Sequence, residues 1–559
     1  MNHTANLTTA TRKWVQTWVP LEDLLPDHLP AFVQSPAYFF GVVAVSGLVL
    51  LVLSGFVLAF FGPQWWHVSG IGHFINSVHF WSAQAFFFAV TLHLWTEFAK
   101  ASWRHGRRLT WMVGAITFIF AIGTAFTGYL SQTNLDAQWI AVQGKDAMNA
   151  VGIGSFFNLL NFGQMYGLHI VLFPLLVAAL VGGHLLQVRI RGVVRPYAQN
   201  VKEEKQREEA WGGPVGPGWS PLTATRTATN AADRARPVAS DQSRYYFGVS
   251  QMRFDLLREG LIALAVATVF AVVFAGLFSS PDDPPLTIQT YAQQDPTSFL
   301  KTAIAELAGN STIAQYGPPY NDQTGSVQYL GPISLQNLAG VTIPIDTAQA
   351  YVLQPLAVSA ESDPALSAAL AQFRQASDQQ KAAWEKAYAD ALDKATVQGG
   401  TVSVPNAADG PVPLLMSRLL TLGQSGALDG LLLRTGGFYQ ANFTKPLLFL
   451  SEDALPTRAE ALHLLGTQWG MMNETGNYPG QAWLWLYTFW YQIPPYNASS
   501  NGDALVLLTM GVLTLALVVL PYIPYLNRLP YRLGIYRLIW RAYYRDHARG
   551  PDSEPARKE

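Results

Sequence analysis

Cysteine is absent from the 559 residues, so the chain can form no disulfide, hold no cysteine-ligated iron–sulfur cluster and attach no haem through thioether bonds. Charge is scarce as well. Only 13 % of residues are charged, and 36 basic against 37 acidic side chains leave a net charge of −1, so no global field gathers nucleic acid. Lys and Arg are missing altogether from residues 62–99. What is abundant is apolar: half the residues are hydrophobic and 13 % aromatic, too many for an ordinary soluble chain of this length.

Uncharged runs near 20 residues occur at 38–61, 77–96, 111–130, 166–188, 260–279 and 504–524, which predicts six membrane spans. Lys100, Arg104, Arg107 and Arg108 separate spans two and three; Arg189, Arg191 and Arg195 follow span four; Arg528, Arg532, Arg537, Arg541 and Arg545 follow span six. By the positive-inside rule both termini are cytoplasmic, and spans two, four and six run inward. Residues 1–37 read as an uncleaved cytoplasmic or interfacial segment with amphipathic helical character. The stretch 201–246, charged and rich in Gly, Pro, Thr and Ala, reads as a flexible linker within a cytoplasmic region 193–257. Residues 281–503 are too long for a loop and predict a largely helical extracytoplasmic insertion domain, with helical periodicity over 363–398 and short packed helices over 411–433. The aromatic string 483–491 (WLWLYTFWY) suits a bilayer interface.

Four of the eleven histidines lie in or beside apolar spans: His79 and His93 in span two, His169 and His184 in span four. Imidazole in lipid is costly and marks function. The intervals are 14 and 15 residues, which at about 100° and 1.5 Å per residue place both rings of each helix on one side, about 21 Å apart. Two such helices facing each other make two stacked bis-imidazole sites. Two histidines without carboxylate or thiolate suit zinc poorly, whereas a porphyrin iron needs only two axial ligands. Gly41 and Gly55 in span one, and Gly114 and Gly128 in span three, repeat the 14-residue interval on the helices that lack the histidines. Glycine at those places lets backbone approach a flat macrocycle. Small-residue helix packing alone is the plainer account of any single glycine pair, as a buried hydrogen bond is of any single histidine.

With these residues the chain resembles cytochrome b of the quinol-oxidising bc-type complexes, clearly over 36–192 and weakly over spans five and six. The four histidines and four glycines carry the resemblance, with RRLTWMVG (107–114), Gly128-Tyr129, LHIVLFP (168–174) and Arg189; the longer interval in span four is that of chloroplast-type and menaquinol-using members. The resemblance implies an all-α membrane protein with a four-helix transmembrane dihaem bundle (38–192) and two further transmembrane helices (258–280 and 504–525); the insertion domain is foreign to the ordinary family pattern, and a basic cytoplasmic tail (526–559) follows. It further implies two b-type haems, an outer one on His79 and His169 with Gly55 and Gly128, and an inner one on His93 and His184 with Gly41 and Gly114. Arg107, Arg108 and Arg189 become candidate propionate partners, although positive-inside signalling also accounts for them. Quinone and quinol would be substrates, a Rieske iron–sulfur protein or cytochrome c subunit the partner, and the complex a homodimeric quinol:acceptor oxidoreductase in a prokaryotic plasma membrane.

The outer quinol site of that family carries Pro-Glu-Trp-Tyr, whose Glu accepts a proton. Here the nearest string is Thr488-Phe489-Trp490-Tyr491, and a phenyl ring accepts no proton. Asp136, Asp146, Glu306 and Glu474 are alternative acids, and Tyr129, Asp136, Trp490 and Tyr491 the candidate outer-site residues. Asn76 and Thr96 stand where many relatives carry Arg, and Leu130-Ser131 replaces Leu-Pro. The missing carboxylate leaves open a second function, a dihaem membrane anchor linking an external redox partner to the quinone pool without splitting electron pairs. A third, a transporter or scaffold with structural histidines, predicts no haem absorbance.

Overall fold

The computed structural model describes residues 28–548 apart from 199–200, 212–244, 247–248, 254, 318, 322–326, 341–342, 406–409, 434–440, 463 and 465–480. Most of the amphipathic segment expected at the N-terminus (1–27) and the candidate acid Glu474 therefore lie outside the described residues. Helices dominate, with two short antiparallel ladders among the described residues: His28–Pro30 on Gln251–Arg253, and Thr396–Gln398 on Thr401–Ser403.

Six long helices occupy the six expected spans: α1 (Phe39–Phe61), α2 (Gly70–Ala99), α3 (Arg108–Leu130), α4 (Phe162–Arg191), α5 (Leu256–Phe278) and α6 (Gly502–Val519). Among the described residues, five of these are long and apolar enough to cross a membrane, and α2 is not one of them. Length is not the reason, since its 30 residues extend about 45 Å. Its polar side chains lower the hydropathy, and several have partners at the end of α5. His73 Nε2 lies 2.6 Å from Ser279 Oγ, Asn76 Nδ2 donates to Ser280 Oγ at 3.3 Å, and Trp81 Nε1 donates to the Ser279 carbonyl at 2.6 Å.

The chain divides into two compact units. The first contains 1–123, 173–280 and 512–559. In it α1 and α2 run against each other and α5 lies along both. A β-carbon on Gly47 of α1 would come 3.3 Å from Phe86 Cβ of α2, so glycine there sets how closely the two helices pack. An aromatic cluster of Phe32, Trp103, Trp111, Tyr197, Tyr245, Tyr246, Tyr536 and Trp540 gathers the segments at one end. The expected linker begins instead with a helix, Val201–Trp211, steadied by the i,i+4 pairs Glu203–Arg207 and Lys205–Glu209; its remaining residues to 244 are outside those described. Charge there supports a helix where composition suggested a linker.

The second unit contains 124–172 together with 281–511. The insertion thus shares its core with the segment between α3 and α4, where a self-contained domain over 281–503 was expected. Helix Leu135–Ala150 is tied in by Gln138, whose amide donates to the Leu286 carbonyl and accepts from its N–H, both at 2.8 Å, and by Trp139 Nε1 donating to the Leu464 carbonyl. The helical stretch expected over 363–398 is two helices, Pro364–Gln375 and Asp378–Leu392, and it ends in the 396–403 hairpin. The expected packed pair over 411–433 is Val412–Gln424 and Ala427–Leu432.

Candidate haem sites

Each of the four glycines faces one of the four histidines. A β-carbon on Gly41 would meet His93 Nδ1 at 3.2 Å, on Gly55 His79 Cε1 at 3.0 Å, on Gly114 His184 Cε1 at 3.0 Å, and on Gly128 His169 Nδ1 at 2.8 Å. Every one of these contacts joins residues of the same unit, so each does not depend on the other unit.

The Nδ1 atoms are held in turn. His169 Nδ1 lies 2.8 Å from the Thr124 carbonyl and His184 Nδ1 lies 3.1 Å from that of Thr110. Thr110 and Thr124 stand four residues before Gly114 and Gly128, so each carbonyl belongs to the helical turn that the glycine leaves bare. His79 Nδ1 lies 3.0 Å from Ser54 Oγ. Ser54 Oγ already donates to the Leu50 carbonyl at 2.6 Å, so it accepts from the imidazole. An oxygen acceptor at Nδ1 selects the tautomer whose lone pair is on Nε2, the atom a metal takes.

His93 differs. Its Nδ1 is buried without a hydrogen bond, and the nearest charged oxygen is Glu97 Oε1 at 3.7 Å. Glu97 is held by Lys100, whose Nζ donates to Oε1 at 2.6 Å, and by the Ser102 hydroxyl. Lys100 is fully buried, with its ammonium 3.7 Å above the Tyr38 ring. Sequence reading missed this buried pair because span two was ended at Thr96. The i,i+4 and i,i+3 spacings of His93, Glu97 and Lys100 were the available signal.

The His93 and His184 rings lie 6.5 Å apart, centroid to centroid, with their planes at 90°. Two imidazoles that hold one metal ion from opposite sides, at about 2 Å each, reach a similar separation. Bare glycines over the rings, an oxygen acceptor at three of the four Nδ1 atoms and this spacing fit a bis-histidine haem. In α4 the segment Leu168–Leu172, which includes His169, is a π turn. Such a turn takes up one extra residue, so the 15-residue interval to His184 is close in register to the 14-residue interval of α2.

Of the candidate propionate partners, Arg107 is committed elsewhere. It is buried, its Nε donates to the Gly192 carbonyl at 2.9 Å and its Nη1 to that of His105 at 2.9 Å, Nη2 bonds the Arg191 carbonyl, and the guanidinium packs on Tyr245. It caps the C-terminus of α4, where a cation is favoured. Arg108 lies over the Tyr522 ring at 5.1 Å, and Arg189 is half-buried in the last turn of α4.

The candidate outer-site residues all belong to the second unit. Tyr129 packs edge-on against Trp483, and Asp136 is buried in the first turn of Leu135–Ala150. Trp490 ends the short helix Trp485–Trp490, its indole N–H buried without a hydrogen-bond partner, and Tyr491 follows it. Tyr491 hydrogen-bonds Asp503, an acid that sequence reading did not consider. Asp146 accepts from Tyr316 and pairs with Lys145 at 2.8 Å. Glu306 is fully buried in the core of that unit.

Residues 84–228 match the cytochrome b (N-terminal)/b6/petB family. Through this segment the chain is similar to the cytochrome b family of bc-type complexes. Cytochrome b6 of Heliobacterium modesticaldum is 23 % identical over 210 residues, covering 33 % of this chain and 99 % of the relative. The cytochrome bc complex cytochrome b subunit of Chlorobaculum thiosulfatiphilum is 27 % identical over 199 residues, 32 % of this chain and 46 % of its own. Cytochrome b of Allochromatium vinosum is 26 % identical, over 38 % and 55 % respectively, so the chain spans about half the length of these two longer relatives. A solved chain titled "Hyperthermophilic respiratory Complex III" aligns with 80 % of this chain and 98 % of itself at 14 % identity and a TM-score of 0.31. The family match contains His93, His169, His184, Gly114 and Gly128, and it begins five residues after His79.

Proposed function

We propose that the chain is the cytochrome b subunit of a respiratory bc-type complex, passing electrons across the membrane through two b haems during quinol oxidation and quinone reduction. The observation that carries this reading is the one-to-one facing of Gly41, Gly55, Gly114 and Gly128 with His93, His79, His184 and His169. His93 and His184 would hold the inner haem and His79 and His169 the outer one, each through Nε2. The bound iron supplies reversible one-electron chemistry. The chain's own part is to fix the rings of His184, His169 and His79 through Thr110, Thr124 and Ser54, and to keep the space over all four clear of side chains. With Arg107 capping α4, the propionates fall to Arg108 and Arg189.

The reading makes α2 a transmembrane helix in spite of its polarity, because its polar side chains serve the haems and α5 instead of lipid. It places both termini in the cytoplasm of a prokaryote, the insertion on the outer side, and a Rieske protein or cytochrome c subunit against that side, in a homodimeric complex. The family match and the cytochrome b and b6 relatives favour it over the non-bifurcating anchor. A redox titration of the purified complex tests it. Two b-type steps with inhibitor-sensitive quinol oxidation are expected, and protein purified without haem overturns it.

A further inference from the structure

The motif that lacks its glutamate has a carboxylate after all, Asp503, fourteen residues beyond Phe489. Tyr487 and Tyr491 stand four apart at the end of the aromatic string, on one helical face, with their hydroxyls 3.0 Å apart. Tyr491 donates to Asp503 Oδ1 at 2.7 Å. The other oxygen, Oδ2, is held by Gln328 Nε2 at 2.7 Å, and the same amide's Oε1 accepts the Ala504 N–H at 3.0 Å. The carboxylate is therefore clamped on one side and turned towards Tyr491 on the other. It sits in the first turn of α6, where the helix dipole favours negative charge.

We propose that Asp503, acting through Tyr491, accepts a proton released when quinol is oxidised at the outer site. The inference rests on the proposed function. As one quinol O–H bond breaks, its proton passes to Tyr491 Oη while the proton already there moves to Asp503 Oδ1, so that Tyr491 ends unchanged and Asp503 ends as the neutral acid. The second proton goes to water, and the two electrons leave singly, one to the outer haem and one to the iron–sulfur or cytochrome partner. Quinol becomes quinone. Both phenols are fitted to relay protons and not to keep a charge. Burial raises the pKa of each, and so do the surrounding carboxylates, Asp503 and Asp146 for Tyr487, Asp503 for Tyr491. Among the described residues, the ionisable groups facing the relay are thus Tyr487, Tyr491, Asp503 and Asp146, the last paired with Lys145.

The test uses the complete complex with Asp503→Asn, Tyr491→Phe and Asp503→Glu, checked first for unchanged haem absorbance so that folding failures are set aside. Asp503→Asn and Tyr491→Phe are expected to lower kcat for quinol oxidation about a hundredfold, the scale of a lost proton acceptor, with KM within about twofold. The limb by which the rate rises with pH should flatten or shift, and Asp503→Glu should recover about tenfold or more. A wild-type rate and pH profile in Asp503→Asn with intact haems overturns this inference alone. Absence of inhibitor-sensitive quinol oxidation in the unmodified complex overturns the proposed function, and this inference with it.

Discussion

His169 reaches the backbone of α3 through its Nδ1, which bonds the Thr124 carbonyl at 2.8 Å. A carbonyl inside a helix is ordinarily screened by the side chain one turn on, and here that residue is Gly128, so the imidazole can share an oxygen already used by the helix. The same device recurs with Thr110, Gly114 and His184. The glycines therefore do more than clear room for a macrocycle; they also fix the rings.

From this follows a graded series. Alanine at Gly128 would bring a methyl 2.8 Å from Nδ1 of His169, alanine at Gly55 or Gly114 meets a ring atom at 3.0 Å, and alanine at Gly41 meets one at 3.2 Å. Haem content per polypeptide, measured by pyridine haemochrome, should fall furthest in Gly128→Ala and least in Gly41→Ala. Equal retention across the four would contradict the cradle.

Glu97 is the one carboxylate near a candidate axial histidine among the described residues, 3.7 Å from His93 Nδ1, where the other three rings have neutral oxygens. Glu97→Gln removes a negative charge beside that haem and should raise the midpoint potential of one b step, leaving the other in place. Because Lys100 is then buried without its partner, the variant should also lose about 3–5 kcal/mol of stability, and Glu97→Gln with Lys100→Met should regain much of it. Potentiometric titration and thermal unfolding read the two effects separately.

Glu306 supplies a pH prediction. Burial pushes its carboxyl up to about 7; Oε2 accepts from Ser311 at 2.7 Å and Oε1 has no hydrogen-bond partner. A carboxyl whose pKa is raised by folding contributes stability that is fully present below its ordinary value near 4.5 and is lost as pH rises through about 7. Unfolding temperature should therefore fall from pH 5 to 8 more in the wild type than in Glu306→Gln. A parallel pair of curves would refute it.

The clamp on helix Val201–Trp211 behaves oppositely. Glu204 Oε1 pairs with Arg104 and lies 3.2 Å from His105 Nε2, and Oε2 accepts the Ala198 N–H at 2.8 Å. Burial pushes His105 down to about 4, while hydrogen bonding to His105 and the Arg104 charge hold Glu204 down to about 2 against its own desolvation. The histidine's contribution is present above its ordinary value near 6.5 and is lost as pH falls through about 4. Glu204→Gln should cost about 1.5–3 kcal/mol and speed amide exchange across 201–211, which hydrogen exchange mass spectrometry would detect.

What the sequence made legible was whatever helix periodicity decides without tertiary knowledge. The fourteen-residue recurrences of His79 and His93, and of Gly41 with Gly55 and Gly114 with Gly128, needed only 3.6 residues per turn. What needed the fold was every polar group whose partner is distant in sequence. Asn76 and His73 shorten the apparent second span, yet Ser279 and Ser280, some two hundred residues on, give them partners. Arg107 looked like an anion ligand until Gly192 and Arg191 took its donors. Asp503 was not among the candidate acids, and it reaches Tyr491 only because the chain folds back from α6.

The wide turn at Leu168–Leu172 bears on how relatives of different spacing compare. A helix that swallows one residue in a local bulge keeps the rest of its face in phase, so a lineage could add or delete a single amino acid there without re-aiming the inner imidazole. Counts of thirteen or fourteen intervening residues would then be interchangeable spellings of one geometry, and the bulge the hinge between them.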